Sequence, residues 1–251
     1  MADYIKKKDY IVVKDEVSNP YFINNPIFIK IKKKFDFLSL SRKKIVKKIM
    51  INERIVEIPF ALKEIPNDRN VRILDLGCVE SILPIFLASL GYKVVALDVR
   101  LYPYVHPNLT VTKGSMLELP FKNECYDTVT CISTLEHIGL GFYGDPLLKD
   151  IADFKATKEI FRVLKYDGSL ILTVPFGKSG VSSQQRIYGL SRLKELLKNF
   201  KIEILKYYAN FPTAHNKNNY WKEISQKEAV KIDSVNNSNC TCLVKAKKPR
   251  L

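Results

Sequence analysis

The chain has 251 residues, 46% of them apolar, 27% charged and 11% aromatic. That balance is too apolar for a disordered protein and supports one main domain with its own core, while ten glycines and twelve prolines exclude a collagen-like repeat. The formal charge of +15 sits at the ends: residues 1–50 carry 13 basic and 5 acidic side chains, 245–250 carry four basic ones, and the 194 residues between hold only +3. A nearly neutral body argues against an active-site groove built for a polyanion. The basic ends are expected to add no more than weak, nonspecific, salt-sensitive contact with nucleic acid or an anionic surface.

The first residues contain no apolar leader segment, and the densest apolar stretch, 81–92, falls short of the ~20 residues that span a bilayer. No transmembrane segment is expected. The five cysteines, an odd number, read as reduced thiols, so a soluble, cytoplasmic protein is expected. Cys240 and Cys242 are the one close pair; with no second ligand pair they read as buried strand residues, and no metal site is expected.

In chain order, residues 1–50 are lysine-rich without clear periodicity and read as a basic N-terminal extension to a domain over 51–251. From Glu53, the apolar positions Ile55, Ile58, Leu62 and Ile65 recur at spacings of three and four, predicting a helix that ends before Pro66. Val71–Leu76 predicts a strand, Ser81–Leu90 a helix with Ile82, Leu83, Phe86, Leu87 and Leu90 on one apolar face, and Lys93–Leu97 and Leu109–Thr112 two further strands. Tyr126–Ile132 reads as a buried strand, Ile151–Leu164 as an amphipathic helix, Ser169–Val174 as a strand, and Ser191–Asn199 as a helix. Lys201–Tyr208 and Thr241–Ala246 are the last predicted strands. Apolar strands alternating with helices imply a doubly wound α/β domain, its mostly parallel sheet covered on both faces. Ligands of such folds bind beyond the carboxyl ends of the strands, where strand order reverses.

The chemistry concentrates at those ends. After the first strand, Asp75-Leu76-Gly77-Cys78 makes a glycine turn that lets a ligand approach the backbone, while Ser81 can cap the next helix and Pro84 suits its first turn. Asp98, 23 residues beyond Asp75 and closing the second strand, is placed to accept hydrogen bonds from both hydroxyls of a ribose. A dinucleotide fold requires several glycines to receive a pyrophosphate, and Gly77 stands alone between Val71 and Leu90. NAD is thereby disfavoured.

Asp75-Leu76-Gly77-Cys78 together with Asp98 resembles the first motif and following acidic position of class I S-adenosylmethionine (SAM)-dependent methyltransferases. Three further segments strengthen the likeness. Gly114-Ser115-Met116 with Leu119-Pro120-Phe121 resembles the segment that holds the adenine edge. Tyr126-Asp127 through Glu136-His137 resembles the type-11 (ubiquinone/menaquinone methyltransferase-like) pattern, and Glu159 through Arg162-Val163-Leu164-Lys165 to Gly168 resembles its last helix and strand. The resemblance covers roughly 53–247 and implies a Rossmann-like, seven-stranded domain. It also implies SAM as cofactor, contacted by Asp75, Gly77, Cys78, Asp98, Ser115, Met116 and Ser133. Two positions depart from the family: Val79 replaces a second glycine, and Ser115 replaces an acid.

Methyl transfer from a sulfonium needs positioning above all, and a hydroxyl acceptor also needs a base. His137, with Glu136, is expected in that catalytic position; the competing reading has the pair merely fix the loop or line the pocket. Gly139 to Pro146 follows directly and is expected to form an acceptor lid through Tyr143, with Arg186 and Tyr188 as further acceptor-binding candidates. Three functions stay open: methyl transfer to a hydroxyl or amine of a small molecule or glycan, methylation of tRNA or rRNA guided by the basic extension, and nucleoside binding without catalysis.

Overall fold

The structure is a computed structural model describing residues 52–144, 146–148, 150–212, 219–233 and 239–250. The expected extension over 1–50 lies outside the described residues, as does Asp145 of the expected lid.

Helix α1 (Arg54–Glu64) leads into strand β1 (Arg72–Leu76), and a 3-10 turn (Cys78–Glu80) with short helix α2 (Leu83–Ser89) returns the chain to β2 (Lys93–Asp98) and β3 (Leu109–Lys113). Strand β4 (Tyr126–Ile132) is followed by a second 3-10 turn (Leu135–His137), helix α3 (Ala152–Val163) and the long strand β5 (Leu164–Pro175). A ribbon of β6 (Gly180–Val181) and β7 (Arg186–Ile187) precedes α4 (Leu190–Leu196). Strands β8 (Lys201–Pro212) and β9 (Asn219–Ile224), the one-turn helix α5 (Gln226–Ala229) and β10 (Cys240–Lys247) follow.

The main sheet has the order β3-β2-β1-β4-β5-β10-β8-β9. Strands β1 to β5 run parallel, and β10 inserts antiparallel between β5 and β8. The doubly wound, mostly parallel architecture is therefore present, with eight strands where the resemblance implies seven. The added strand is β9, paired antiparallel along the outer edge of β8. It carries Lys222 and Glu223 instead of an apolar run, because an edge strand is not covered like a central one; Lys206 Nζ and Tyr208 Oη both reach Glu223 at 2.9 Å across the pair.

Period-two alternation sorts the strand residues onto two cores. Leu74, Leu76, Val129, Leu170, Leu172 and Val244 face the side covered by α3 and α4, whereas Ile73, Val94, Ile171 and Leu243 face α1 and α2. Cys240 and Cys242 are fully buried on β10, as strand residues should be. Helix α2 is shorter than predicted and rolled: Leu83, Pro84, Leu87 and Ala88 are buried, while Ile82, Phe86 and Leu90 are exposed. The 3-10 turn consumes the chain ahead of α2 and resets its rotation. Ile82, not Ser81, stands at the N-cap of α2, and Ser81 Oγ accepts from Leu83 N at 3.1 Å.

The Glu159 to Lys165 segment clamps the loop after β3. Glu159 Oε2 accepts from Leu119 N at 2.8 Å, and Arg162 donates to the carbonyls of Phe121 and Leu119 at 2.7 and 2.9 Å. Because β2 and β3 lie on one side of β1 and β4 on the other, strand order reverses at the carboxyl ends of β1 and β4, the expected ligand crevice. Among the described residues no helix is long and apolar enough to cross a membrane.

Candidate active site

A cavity of about 270 Å³ opens at that reversal point. Gly77 after β1, Asp98 at the end of β2, Ser115 and Met116 after β3, and Ser133 after β4 all line it. Glu136, His137 and Tyr143 form a further part of its wall, and Glu53 and Arg54 at the start of α1 reach it from the N-terminal side. Four loops that are far apart in sequence thus meet because parallel strands deliver all their carboxyl ends to one edge.

Each wall residue is held for a local reason. Gly77 has φ +78°, a left-handed conformation suited to glycine, and a Cβ there would strike the side chain of Thr134. Asp98 is 6% exposed; its Oδ2 accepts from Val79 N at 3.1 Å and its Oδ1 from Arg100 N at 2.9 Å. Arg100 closes over the same carboxylate, with Nε 3.2 Å from Oδ1, and also reaches Glu80 at 2.6 Å. Its guanidinium lies 4.2 Å from the Tyr143 ring centroid, tying the loop after β4 to the loops after β1 and β2.

Ser133 is held at φ +41°, unusual for a residue with a side chain. Its N donates to Thr173 Oγ1 at 3.0 Å and its Oγ to Glu57 Oε1 at 2.7 Å. The fully buried Glu57 also accepts from Thr241 Oγ1 at 3.0 Å and from Arg54 Nη1 at 3.0 Å. Arg54 Nη1 donates further to the Ile132 carbonyl at 3.1 Å. Helix α1 is thus latched onto the ends of β4 and β10 by a buried carboxylate.

His137 has a defined tautomer. Its Nδ1 is 2.6 Å from the carbonyl oxygen of Gln184, and a carbonyl can only accept, so Nδ1 carries the proton. Burial lowers the His137 pKa below its usual 6.5, the Gln184 carbonyl opposing in part, so the neutral ring presents a bare Nε2 lone pair near neutral pH. Glu136 Oε1 is 3.8 Å from that Nε2. Glu136 is 1% exposed, and burial raises its pKa from 4.5 to about 8, opposed by a backbone hydrogen bond and reinforced by the nearby Glu57. Both partners are therefore neutral near pH 7 and form no ion pair. The carbonyl of Gln184, not Glu136, orients the imidazole. Tyr143 packs edge-on against His137 at 5.5 Å, so the expected lid reaches the cavity through this residue.

Four expected site residues stand elsewhere. Asp75 is 2% exposed behind the wall, its Oδ2 accepting from Thr130 Oγ1 at 2.6 Å; burial lifts its pKa to about 7 despite that bond. Cys78 is fully buried and packs with Ala96 and Tyr102; burial raises its thiol pKa, which makes it inert. Arg186 and Tyr188, expected at the acceptor, are 1% and 0% exposed and stand behind the cavity lining. Tyr188 Oη donates to Asp153 Oδ2 at 3.0 Å, and Arg186 Nε stands 3.8 Å from the same atom. Arg192 completes the cluster at 2.8 Å from Asp153 Oδ1. The acid that Arg186 meets is thus Asp153 on α3, a partner that depends on how α3 packs.

Sequence reasoning missed Glu53, Arg54, Glu57, Arg100 and Thr241. Arg100 was findable, lying two residues beyond Asp98 on a loop at a strand's carboxyl end. The others carried no local signal, since α1 and β10 come to the crevice only through the tertiary fold.

The residue types lining the cavity fit a nucleoside. Asp98 can receive ribose hydroxyls where Arg100 now lies, Met116 offers an apolar face, and Gly77 gives close backbone approach. Comparison with solved structures finds the same fold in a candidate methyltransferase of Bacillus halodurans (18% identity, TM-score 0.54, 77% of this chain and 99% of that one). A SAM-dependent methyltransferase of Methanosarcina mazei also shares it (15%, 0.51, 81% and 100%), as does the [4+2]-cyclase SpnF (14%, 0.52, 87% and 92%). The fold is that of class I methyltransferases, and the cyclase shows that this fold hosts other reactions. Among curated proteins, uncharacterized protein MJ0638 of Methanocaldococcus jannaschii is 31% identical over 120 residues. That match covers 47% of each protein, so the chain spans about half the length of this relative. Residues 118–245, half of the chain and the part that holds β4, Glu136, His137 and the loop after them, match one family. The chain belongs to the family described as Caenorhabditis protein of unknown function, DUF268.

Proposed function

We propose that the protein is a SAM-dependent methyltransferase acting on a hydroxyl or amine of a small-molecule or glycan acceptor, a finer reading that keeps the type-11 resemblance. When bound, SAM supplies a methyl group already activated on a sulfonium. Asp98 holds the ribose, Gly77 gives the backbone close approach, Met116 and Ser115 flank the base, and His137 Nε2 takes the acceptor's proton. The observation that carries this reading is the fixed His137 tautomer, with a bare Nε2 in the same cavity as Asp98. A base whose donor nitrogen is locked by a carbonyl needs no further orientation before it accepts a proton. Titration calorimetry with SAM and S-adenosylhomocysteine, followed by labelled-methyl transfer to fractionated cell extract, tests the proposal; no heat with either nucleoside sinks it.

A second reading, nucleoside binding without transfer, draws on Val79 and Ser115, the two departures from the family's cofactor motif. Binding without any methyl incorporation would select it. The tRNA or rRNA alternative draws on the basic residues 1–50, outside the described residues.

A further inference from the structure

Glu136 Oε2 is buried and has no hydrogen-bond partner among the described residues. A carboxyl group so placed is costly unless something meets it. The side chain is 2% exposed and lines the cavity. The acids around it, Glu53 and Glu57, add negative potential. Arg54 is a cation that opposes it, and its Nη1 is already engaged by Glu57 and the Ile132 carbonyl. Glu57 itself is satisfied at both oxygens by Arg54, Ser133 and Thr241. Among the described residues Glu53 and Glu136 thus line the cavity wall as acids without a Lys or Arg ion pair, beside the bare His137 Nε2.

We infer that Glu136, supported by Glu53, is the seat of a cationic nitrogen, and that the acceptor is therefore an amine. This rests on the methyltransferase reading above. An ammonium that displaces the proton held on Glu136 donates a hydrogen bond and cancels the charge of the carboxylate it uncovers, whereas a hydroxyl donates without cancelling it. In the step that follows, the ammonium gives one proton to His137 Nε2 and becomes a neutral amine. The nitrogen lone pair then forms the new N–C bond to the methyl carbon as the C–S bond breaks, and that bond's electron pair stays on sulfur. The product nitrogen keeps a positive charge and the donor leaves as a neutral thioether.

Sinefungin tests the assignment because it carries an ammonium in place of the sulfonium methyl, while S-adenosylhomocysteine has no group there and shares the amino-acid tail. Calorimetry on the full chain should give sinefungin at least about a tenfold advantage over S-adenosylhomocysteine, the scale of one charge-assisted hydrogen bond. Glu136→Gln should collapse that ratio to within about twofold. Equal affinities in the wild type, or a ratio that survives Glu136→Gln because both ligands weaken together, would overturn the assignment; the latter would place the amino-acid tail at Glu136. If neither nucleoside binds, the methyltransferase reading fails first. A second arm acetylates the amines of an acceptor extract before labelled-methyl transfer. Loss of labelling supports an amine acceptor, and labelling that survives acetylation overturns it.

Discussion

Replacing Glu136 by Gln should change how stability depends on pH, whatever the protein's reaction. The wild-type carboxyl has its pKa raised from 4.5 to about 8 by burial. Between those values the folded state holds a proton that the unfolded state lacks, so stability must fall as pH rises through the window. At about 1.4 kcal/mol per pH decade the whole window is worth roughly 5 kcal/mol, most of which is lost between pH 5 and pH 8. Gln carries no such proton, although its amide in the same place leaves a donor unsatisfied at a pH-independent cost of about 1–3 kcal/mol. The variant should therefore be no more stable than the wild type at pH 5 and should gain on it steadily toward pH 8. For a domain of this size a change of a few kcal/mol corresponds to roughly 10 °C in Tm. Paired thermal melts at pH 5, 6, 7 and 8 measure the difference, and titrations common to both proteins cancel. Glu53, Glu57, Arg54 and His137 are the charged and titratable groups that face this carboxyl. A Tm difference that stays constant across the range would refute the claim that this carboxyl is folded into a site that holds it neutral.

Asp98→Ala should weaken SAM binding by about 1.5–3 kcal/mol, the value of a hydrogen bond to a charged group; calorimetric affinity equal to the wild type's would remove Asp98 from the ribose site. For His137→Ala, turnover should fall by about 100-fold or more while cofactor affinity changes little, and a larger change in affinity than in turnover would make the imidazole a pocket wall. Burial lowers the His137 pKa below 6.5, so the wild-type rate should climb with pH through a value under 6.5 and level off above it, as the ring loses its proton. A rate that rises first above pH 7 would contradict this assignment. Asp153→Ala should destabilise the fold by about 3–5 kcal/mol, because Arg186 is left buried without its counter-charge; denaturant melts showing a loss below 1 kcal/mol would return Arg186 to the list of acceptor contacts.

The alternation of apolar strands and amphipathic helices was enough to reveal the doubly wound domain, because period-two and period-3.6 burial are written locally in the chain. Strand β4 follows the predicted Tyr126–Ile132 span, and Gly77 and Asp98 stand at the strand ends their spacing indicated. Edge strand β9 and the roll of α2 were illegible, since one lacks an apolar run and the other depends on a turn that displaces the helix start. At the site, the residue types named one wall, while the opposite wall came from α1 and β10, brought in through Glu57 and Thr241 across 184 positions. Likewise the sequence shows an Arg186 and a Tyr188 but not the Asp153 that meets them, and a His137 but not the Gln184 carbonyl that decides which nitrogen is bare. Local pattern determines which elements form and which residue types lie at their ends. Which charges end up opposed, and which proton is held, is settled only when distant segments share one desolvated volume and each buried polar group must find its partner there.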